Sequence, residues 1–461
     1  PLKKKIIIIE KGSKSSSVKN KNRNINYGLE HKASQNYLGL KTGGNSSRWG
    51  GQLAEMTTED LKKNYWGINF RELKALYSEV YKNLGIQKLF EEKKIENNFH
   101  EYRTIFLKNP NLYNQYEKNQ KKIKILTNTS ALNFFFDKTS LKKISCINNN
   151  YKKFFISSKV FIICNGAIES TRLMLTNQKD VKKTPFKNNK NIGKYFSDHI
   201  GFYVAKLNIY NEKIFRYNFE NLYYENTTYQ KKYRFYDNET KLNVSIEFKF
   251  LSKYQNEIDN AKNILKKIKN TKKIYTLFPI FLNFRLFIIT VELIIYYIKY
   301  RRIKIFFDKG IILYFQSEHL KSKKNRIFLS NKKLNDGLYQ TIINWNIGEK
   351  ERNLFLKLCK KLNLFFVKKN MGSLIISKNL KNKKNFLKNI QDTNHASGGL
   401  QISKNHKNGV CNNNLRVHNT DNLFLLSSSI FPSNGSANIT LTIFAYAHKL
   451  KKILYKFLQK K

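Results

Sequence analysis

A buried strand that passes through a glycine into a helix constrains the fold more than any other stretch of this chain. Val160-Phe161-Ile162-Ile163-Cys164 is a continuous apolar run, Asn165-Gly166 breaks it, and Ile168 to Leu175 continues with helical spacing. Apolar runs without alternation mark strands covered on both faces, as in a parallel sheet. A strand–Gly–helix junction at the end of such a sheet offers free helix N–H groups and is a favoured nucleotide-binding position. A second run, Ile6-Ile7-Ile8-Ile9, also reads as a buried parallel strand and ends in Glu10-Lys11-Gly12. In a dinucleotide-binding unit, the acid closing the second strand holds a ribose hydroxyl, about 20 residues after a glycine-rich phosphate loop. If Glu10 is that acid, the loop would fall ahead of Pro1. An ordinary strand with a surface glutamate carries equal weight.

Between these runs lies Gly39-Leu40-Lys41-Thr42-Gly43-Gly44-Asn45-Ser46-Ser47-Arg48-Trp49-Gly50-Gly51. Its two glycine pairs let backbone approach a flat or anionic ligand, and a tryptophan fixed between them favours a cofactor loop over a linker. Leu73, Leu76, Tyr77, Val80, Tyr81 and Leu84 form a helical stripe stopped at Gly85. Residues 91–122 are polar and weakly patterned and read as a covering segment. Residues 123–158 read as short strands and turns. Gly193 to His199 is a compact turn in which Asp198 adjoins His199, a pair that more often fixes a loop than carries chemistry.

From Gly201 to about Ile390 the composition changes to β-type runs mixed with helices, as expected of a separate domain. Its most hydrophobic window, Ile274 to Ile298, is interrupted by Pro279, Asn283, Arg285 and Glu292, which argues against a membrane span. A half-buried helix is expected there, and the adjoining Lys299-Tyr300-Arg301-Arg302 makes 274–302 the candidate for peripheral contact with a membrane. Two strands are expected around the Asn335-Asp336-Gly337 turn.

Lys and Arg number 86 against 32 Asp and Glu, a net charge of +54 in 461 residues. The excess is mostly lysine spread along the chain, together with abundant Asn, Ile, Phe and Tyr. It reads as the product of an AT-rich coding sequence, and with no nucleic-acid-binding motif a nucleic-acid partner is not expected. Cys146, Cys164, Cys359 and Cys411 lack metal-ligand spacing, so neither a metal site nor a disulfide framework is expected. They fit a cytoplasmic location, membrane-associated if the 274–302 contact is made.

The most specific stretch comes last. His395-Ala396-Ser397-Gly398-Gly399 puts a histidine before a flexible run. Asn422-Leu423-Phe424-Leu425-Leu426 is a short strand, followed by Ser427-Ser428-Ser429-Ile430-Phe431-Pro432 and the turn Ser433 to Asn438. A helix from Thr440 would aim its first N–H groups at whatever that turn holds.

In this order the segments resemble the glucose-methanol-choline (GMC) oxidoreductases, flavoenzymes that oxidise alcohols. Ile6 to Gly12 resembles the family's second strand, Gly43 to Gly51 its flavin-contacting loop, and Cys164 to Leu175 its "A-G-x-I-E-S-x-R-L-L-L" segment. Gly193 to His199 is similar to "G-x-x-x-x-D-H", and Glu318 to Ser330 to the strand returning from the substrate domain. His395 to Gly399 is similar to "H-x-x-G-[GT]", Asn422 to Pro432 to "N-L-[FY]-V-x-x-S-S-[VI]-F-P", and Ala437 to Thr442 to "x-N-P-T-L-T", with Ile439 in place of the proline.

The resemblance implies an α/β, two-domain fold: a discontinuous Rossmann-like FAD-binding domain and a substrate domain on a mixed or antiparallel sheet with helices. The implied division is 1–200 (with covering helices in 53–122) and 391–461 for FAD, and 201–390 for substrate. It also implies non-covalent FAD and oxidation of CH–OH groups in a small alcohol, sugar or polyol, with an unspecified electron acceptor. Of the site residues, His395 is implied as the base and Asn438 as holder of the substrate oxygen. Glu10, Gly43, Gly44, Asn45, Ser46, Trp49, Gly50, Gly51, Ala131, Gly166, Ser427, Ser428, Asn438, Ile439 and Thr440 are implied at the cofactor. The family's GxGxxG strand–loop–helix has no counterpart within residues 1–461. Two other readings stand beside this one, an inactive truncated relic of such an enzyme and a basic membrane-surface protein.

Overall fold

A computed structural model describes residues 5–14, 23–36, 39–47, 49–86, 91–107, 123–224, 227–271 and 283–459. Two short parallel pairs stand where the apolar runs predict them. Ile6–Ile9 pairs in parallel with Ile123–Leu126, and Phe161–Ile163 with Leu423–Leu425. The second pair carries the Gly166 junction on one strand and the Ser427 turn on the other, so segments far apart in sequence emerge side by side. The expected burial of the first strand is not met. Ile6, Ile7 and Ile8 are 49%, 46% and 42% exposed, because among the described residues the strand has a neighbour along one edge only.

Thr129–Asp137, Ser140–Asn148 and Lys153–Ser157 form a three-stranded antiparallel meander. Gly166–Asp180 then leaves the parallel pair as a 15-residue helix. Phe70–Leu84 begins at Asn69, whose side chain accepts from the Glu72 N–H, and ends at Gly85 in the left-handed conformation, a glycine-favoured stop. It packs its apolar stripe against the closing helix Thr440–Gln459, where Tyr77 Oη lies 2.7 Å from Thr442 Oγ1. These elements enclose one core around Trp66, Phe431 and Tyr446.

A second core lies under an 11-stranded sheet. Its antiparallel centre runs Thr227–Tyr236, Asn243–Leu251, Gly310–Ser317, Ile200–Ile209, Gly372–Ile376, and Glu349–Lys368 covers it with Phe355, Leu358 and Phe366. The predicted strands around Asp336 are present as the antiparallel pair Arg326–Lys333 and Tyr339–Trp345.

One stretch differs from expectation. Lys93–Glu96 and Phe99–Phe106 are strands, and the latter pairs along eight residues with Thr227–Tyr236. Glu101 of the longer strand pairs with Lys231 at 3.0 Å, and Glu92, just before the shorter one, pairs with Arg234 at 2.9 Å. Residues 108–122 and 272–282 lie outside the described residues, so the expectations for them, including the start of the 274–302 window, have no structural counterpart here. The remainder of that window is the helix Phe284–Tyr300, which rests on Gln255–Thr271 through a small core of its own. No helix among the described residues is long and apolar enough to cross a membrane. The four cysteines are free thiols.

Candidate active site

His395 sits between two elements that hold it by backbone and by ring. Its N–H donates to Asp198 Oδ1 at 2.9 Å, and its C=O accepts from Asn434 Nδ2 at 2.6 Å. Asn434 Oδ1 accepts from Ser397 Oγ at 2.9 Å, so the segment His395–Ser397 is stitched to the turn that ends in Asn438. Asp198 is fully buried and its other oxygen lies 3.1 Å from His31 Nε2, also buried. Burial works against both charges, but the ion pair prevails: the Asp198 carboxyl is held below its usual range and the His31 imidazole above its own.

The ring of His395 is oriented by His199. His199 Nε2 lies 2.8 Å from the Gly435 carbonyl, which can only accept, so Nε2 carries the proton. Burial depresses the His199 pKa and keeps the ring neutral, which leaves its Nδ1 an acceptor. That Nδ1 is 2.9 Å from His395 Nδ1. His395 must therefore donate from Nδ1, with Thr393 Oγ1 at 3.0 Å as a second neighbour. The hydrogen-bond network thus assigns the tautomer that leaves the His395 Nε2 lone pair unprotonated. Burial first, and the adjoining His199 second, push the His395 pKa down to about 3.

Asn438 joins the same network. Its Oδ1 accepts from Gln316 Nε2 at 3.2 Å, and Gln316 Nε2 lies 3.5 Å from His199 Nδ1. Its Nδ2 donates to Gln52 Oε1 at 3.0 Å. Since a carboxamide nitrogen has two hydrogens, one N–H of Asn438 is left for another acceptor. The turn before it is anchored underneath. Buried Asp60 accepts from the Ser436 N–H at 3.0 Å and Ser436 Oγ at 2.9 Å, and Glu318 accepts from the Gly435 N–H at 3.3 Å. Gln52 also lines a cavity of about 580 Å³ with Phe106, Tyr203, Gln230, Glu247 and Lys249. Of this network the sequence pointed to His395 and Asn438. Gln52, Gln316 and the ring-orienting role of His199 were missed. A turn containing Asp-His was the one available signal, and the two glutamines had none.

The residues proposed at a cofactor fall into two groups. The glycine loop meets the end of the first strand through the Ser13–Lys41 bridge and the Thr42 N–H, which donates to the Ser13 carbonyl at 3.1 Å. This sets Ser13, just past the strand, beside Lys41 and Thr42 at the start of the glycine loop, and Gln52 follows the loop directly. Glu10 accepts from the Gly12 N–H at 2.7 Å. Asn45 accepts from the Gly39 N–H, and Ser46 Oγ donates to the Gly43 carbonyl, both at 2.6 Å; these two side chains fold the loop itself. Trp49 packs edge-on to Phe444. Arg48 lies outside the described residues.

The second group surrounds the parallel pair. Ser427 caps the turn Ser428–Ile430 and lies 3.4 Å from Ser170 Oγ, one turn into the Gly166 helix. Ser428 Oγ donates to the Ala396 carbonyl at 2.7 Å, tying this turn to the segment His395–Ser397. Ile439 is buried and Thr440 opens the closing helix directly after Asn438. Ala131 is half-buried on the meander opposite Cys146. His418 and His448 are tied up elsewhere, with Ser403 and with Glu79.

The backbone leaves room for a flat group at two of these positions. A Cβ built on Gly166, at φ +72°, or on Gly50 meets nothing within 4 Å. Gly12 differs: a Cβ there would collide with the Leu40 backbone at 2.0 Å, so that glycine serves chain packing. Open glycines and a helix start form a backbone surface that suits a dinucleotide.

Residues 321–447, which include His395 and Asn438, match the family model described as GMC oxidoreductase. No curated protein matches in sequence. Among solved structures, pyridoxine 4-oxidase from Mesorbium loti superposes with a TM-score of 0.57 at 10% identity, covering 97% of this chain and 94% of that one. Formate oxidase does so with a TM-score of 0.54 at 13% identity, covering 97% and 93%. A variant of the Aspergillus oryzae RIB40 formate oxidase, studied for its effect on FAD modification, gives 0.54 at 12%. Residues 321–447 thus resemble a GMC oxidoreductase segment, and over most of its length the chain shares the α/β fold of these solved structures.

Proposed function

We propose that this protein is an FAD-dependent oxidoreductase acting on CH–OH groups of a small alcohol, sugar or polyol, with His395 as base and Asn438 as holder of the substrate oxygen. The observation that carries the reading is the continuous chain His395–His199–Gln316–Asn438, which joins one neutral imidazole to one carboxamide with a spare N–H. An alcohol becomes a carbonyl by losing a proton from oxygen and a hydride from carbon. A neutral imidazole with a lone pair on Nε2 takes the proton, and a carboxamide N–H steadies the developing negative oxygen without competing for it. Bound FAD would supply the hydride acceptor.

Glu10 would meet its ribose, and the Gly43–Gly51 loop, Ala131, Gly166, Ser427, Ser428, Ile439 and Thr440 would line its length. The start of the closing helix would face the ring end, where its positive pole favours negative charge. The likeness to formate oxidase and pyridoxine 4-oxidase supports the reaction class, and the binding is proposed as non-covalent. His395→Ala tests this reading. We expect flavin reduction by substrate to slow by roughly 100-fold or more, since a positioned general base contributes that much, while bound flavin is retained. Unchanged reduction kinetics would remove His395 from the chemistry.

A further inference from the structure

The helix Phe284–Tyr300 presents to solvent a face that soluble helices normally cover. Its inward side chains, Leu286, Ile289, Thr290 and Leu293, are buried against Gln255–Thr271. On the opposite side Phe284, Ile288, Val291, Ile294, Ile295 and Ile298 are 37–77% exposed. At 100° per residue these six fall within an arc of about 120°, a continuous apolar stripe along four turns. A soluble surface rarely carries so contiguous an apolar patch without a binding role.

The charges beside the stripe identify what it fits. Arg285 and Lys299 flank it on one side at helical spacing, and Arg301 caps its end; all three are exposed. The one acid of the helix, Glu292, lies on that same flank and is ion-paired with Lys304, so the flank is cationic overall. Arg285 and Lys299 stack over Tyr254 and Tyr300, with their charged ends beside the apolar face. An apolar stripe bordered by cations and aromatic rings is the pattern of a helix that lies in the plane of an anionic bilayer.

We propose that the Phe284–Tyr300 helix is a monotopic membrane contact that seats the protein on an anionic lipid surface. The stripe enters the headgroup–acyl boundary, and Arg285, Lys299 and Arg301 meet the phosphates at its edge. The inference is independent of the flavin reading. It adds a structural argument to the hydrophobic window and basic run of the sequence: the stripe faces outward while the buried side already has a partner.

The test is flotation of the full chain with phosphatidylcholine vesicles, with and without about 30% phosphatidylserine, comparing the native protein with Ile288→Asp/Ile295→Asp and Arg285→Glu/Lys299→Glu. The native protein should bind the anionic vesicles and be weakened by salt. The isoleucine pair, both members being exposed, should keep the native thermal melt yet bind at least tenfold more weakly, as expected when apolar burial is replaced by charge. The charge pair should bind anionic vesicles more weakly and lose part of the salt dependence. Failure of the native protein to bind overturns the proposal. So does equal binding by the isoleucine variant, which would assign the association to the overall charge of +54. A native protein that self-associates without lipid, and becomes monomeric with Ile288→Asp/Ile295→Asp, would give the stripe to a second copy instead.

Discussion

His199→Phe isolates the feature on which the proposed chemistry depends. A flat aromatic ring is kept, but the hydrogen bond from Nε2 to the Gly435 carbonyl is lost, and so are those accepted at Nδ1 from His395 and, at 3.5 Å, from Gln316. The first loss leaves a buried carbonyl without that donor and should cost about 1–3 kcal/mol of stability, read in urea denaturation. The second removes the acceptor that selects the His395 tautomer, leaving Thr393 Oγ1 as its neighbour. A hydrogen bond with a net value of about 0.5–1.5 kcal/mol corresponds to a 2- to 10-fold loss of the reactive tautomer. The pKa should move as well. His199 is the second cause, after burial, of the low His395 value near 3, so its removal raises that value. His395 is inactive as a base when protonated, so the acid limb of the reduction rate should shift to higher pH. Stopped-flow reduction across pH measures both effects. His199→Asn, whose amide can both donate and accept, should retain more of each. If His199→Phe changed stability but left the acid limb and the rate in place, the tautomer argument would fail.

On the proposed function, the native protein loaded with FAD should reduce it at a rate nearly independent of the His395 charge above about pH 5, two units over the value near 3; an acid limb centred near 6.5 would show an unshifted histidine. Asp198→Asn should lose about 3–5 kcal/mol of stability, as expected when one partner of a buried ion pair is removed. The depressed Asp198 pKa contributes stability that is complete above the unfolded carboxylate range and lost as pH falls through the folded value. The raised His31 pKa contributes stability that is complete below about 6.5 and lost as pH rises through its folded value. The deficit of the variant should therefore be greatest between about pH 4 and 6.5 and shrink on either side, which urea midpoints at several pH values would record. Asp60→Ala removes the acceptor for Ser436, Thr57 and Asn243 and should cost about 3 kcal/mol or more, since several buried donors lose their partner. A loss below about 1 kcal/mol would mean that the turn before Asn438 does not depend on Asp60.

The candidate site was legible in the sequence where its signal was local. The histidine ahead of Gly398-Gly399, the short strand at Leu423–Leu425 and the turn into Thr440 are contiguous, and each has its own chemistry or periodicity. Gln316 and Gln52 left no such trace. Each is a polar residue on a strand, and its meaning comes from sheet register and from a partner 122 or 386 residues away. Asp198 and His199 were visible as a pair but ambiguous, because only folding shows that one holds the His395 backbone and the other its ring. The strand Phe99–Phe106 escaped notice because His100, Glu101 and Arg103 interrupt its alternation. Cross-strand partners such as Lys231 for Glu101 let it join the sheet. Ile6–Ile9 erred the other way. Its composition announced burial, whereas burial depends on how many strands lie beside it.

On the proposed function, the surface around Gly43–Gly51, Gly166 and Ser427 is built for FAD. The decisive measurement is titration of the protein with FAD while visible absorbance and thermal unfolding are followed. One flavin should be retained per chain after gel filtration. The melting temperature should rise with FAD, reaching a stabilisation of about 2.7 kcal/mol at roughly 100 times Kd. A folded protein that retains no flavin and whose melting temperature ignores FAD would contradict the proposed function.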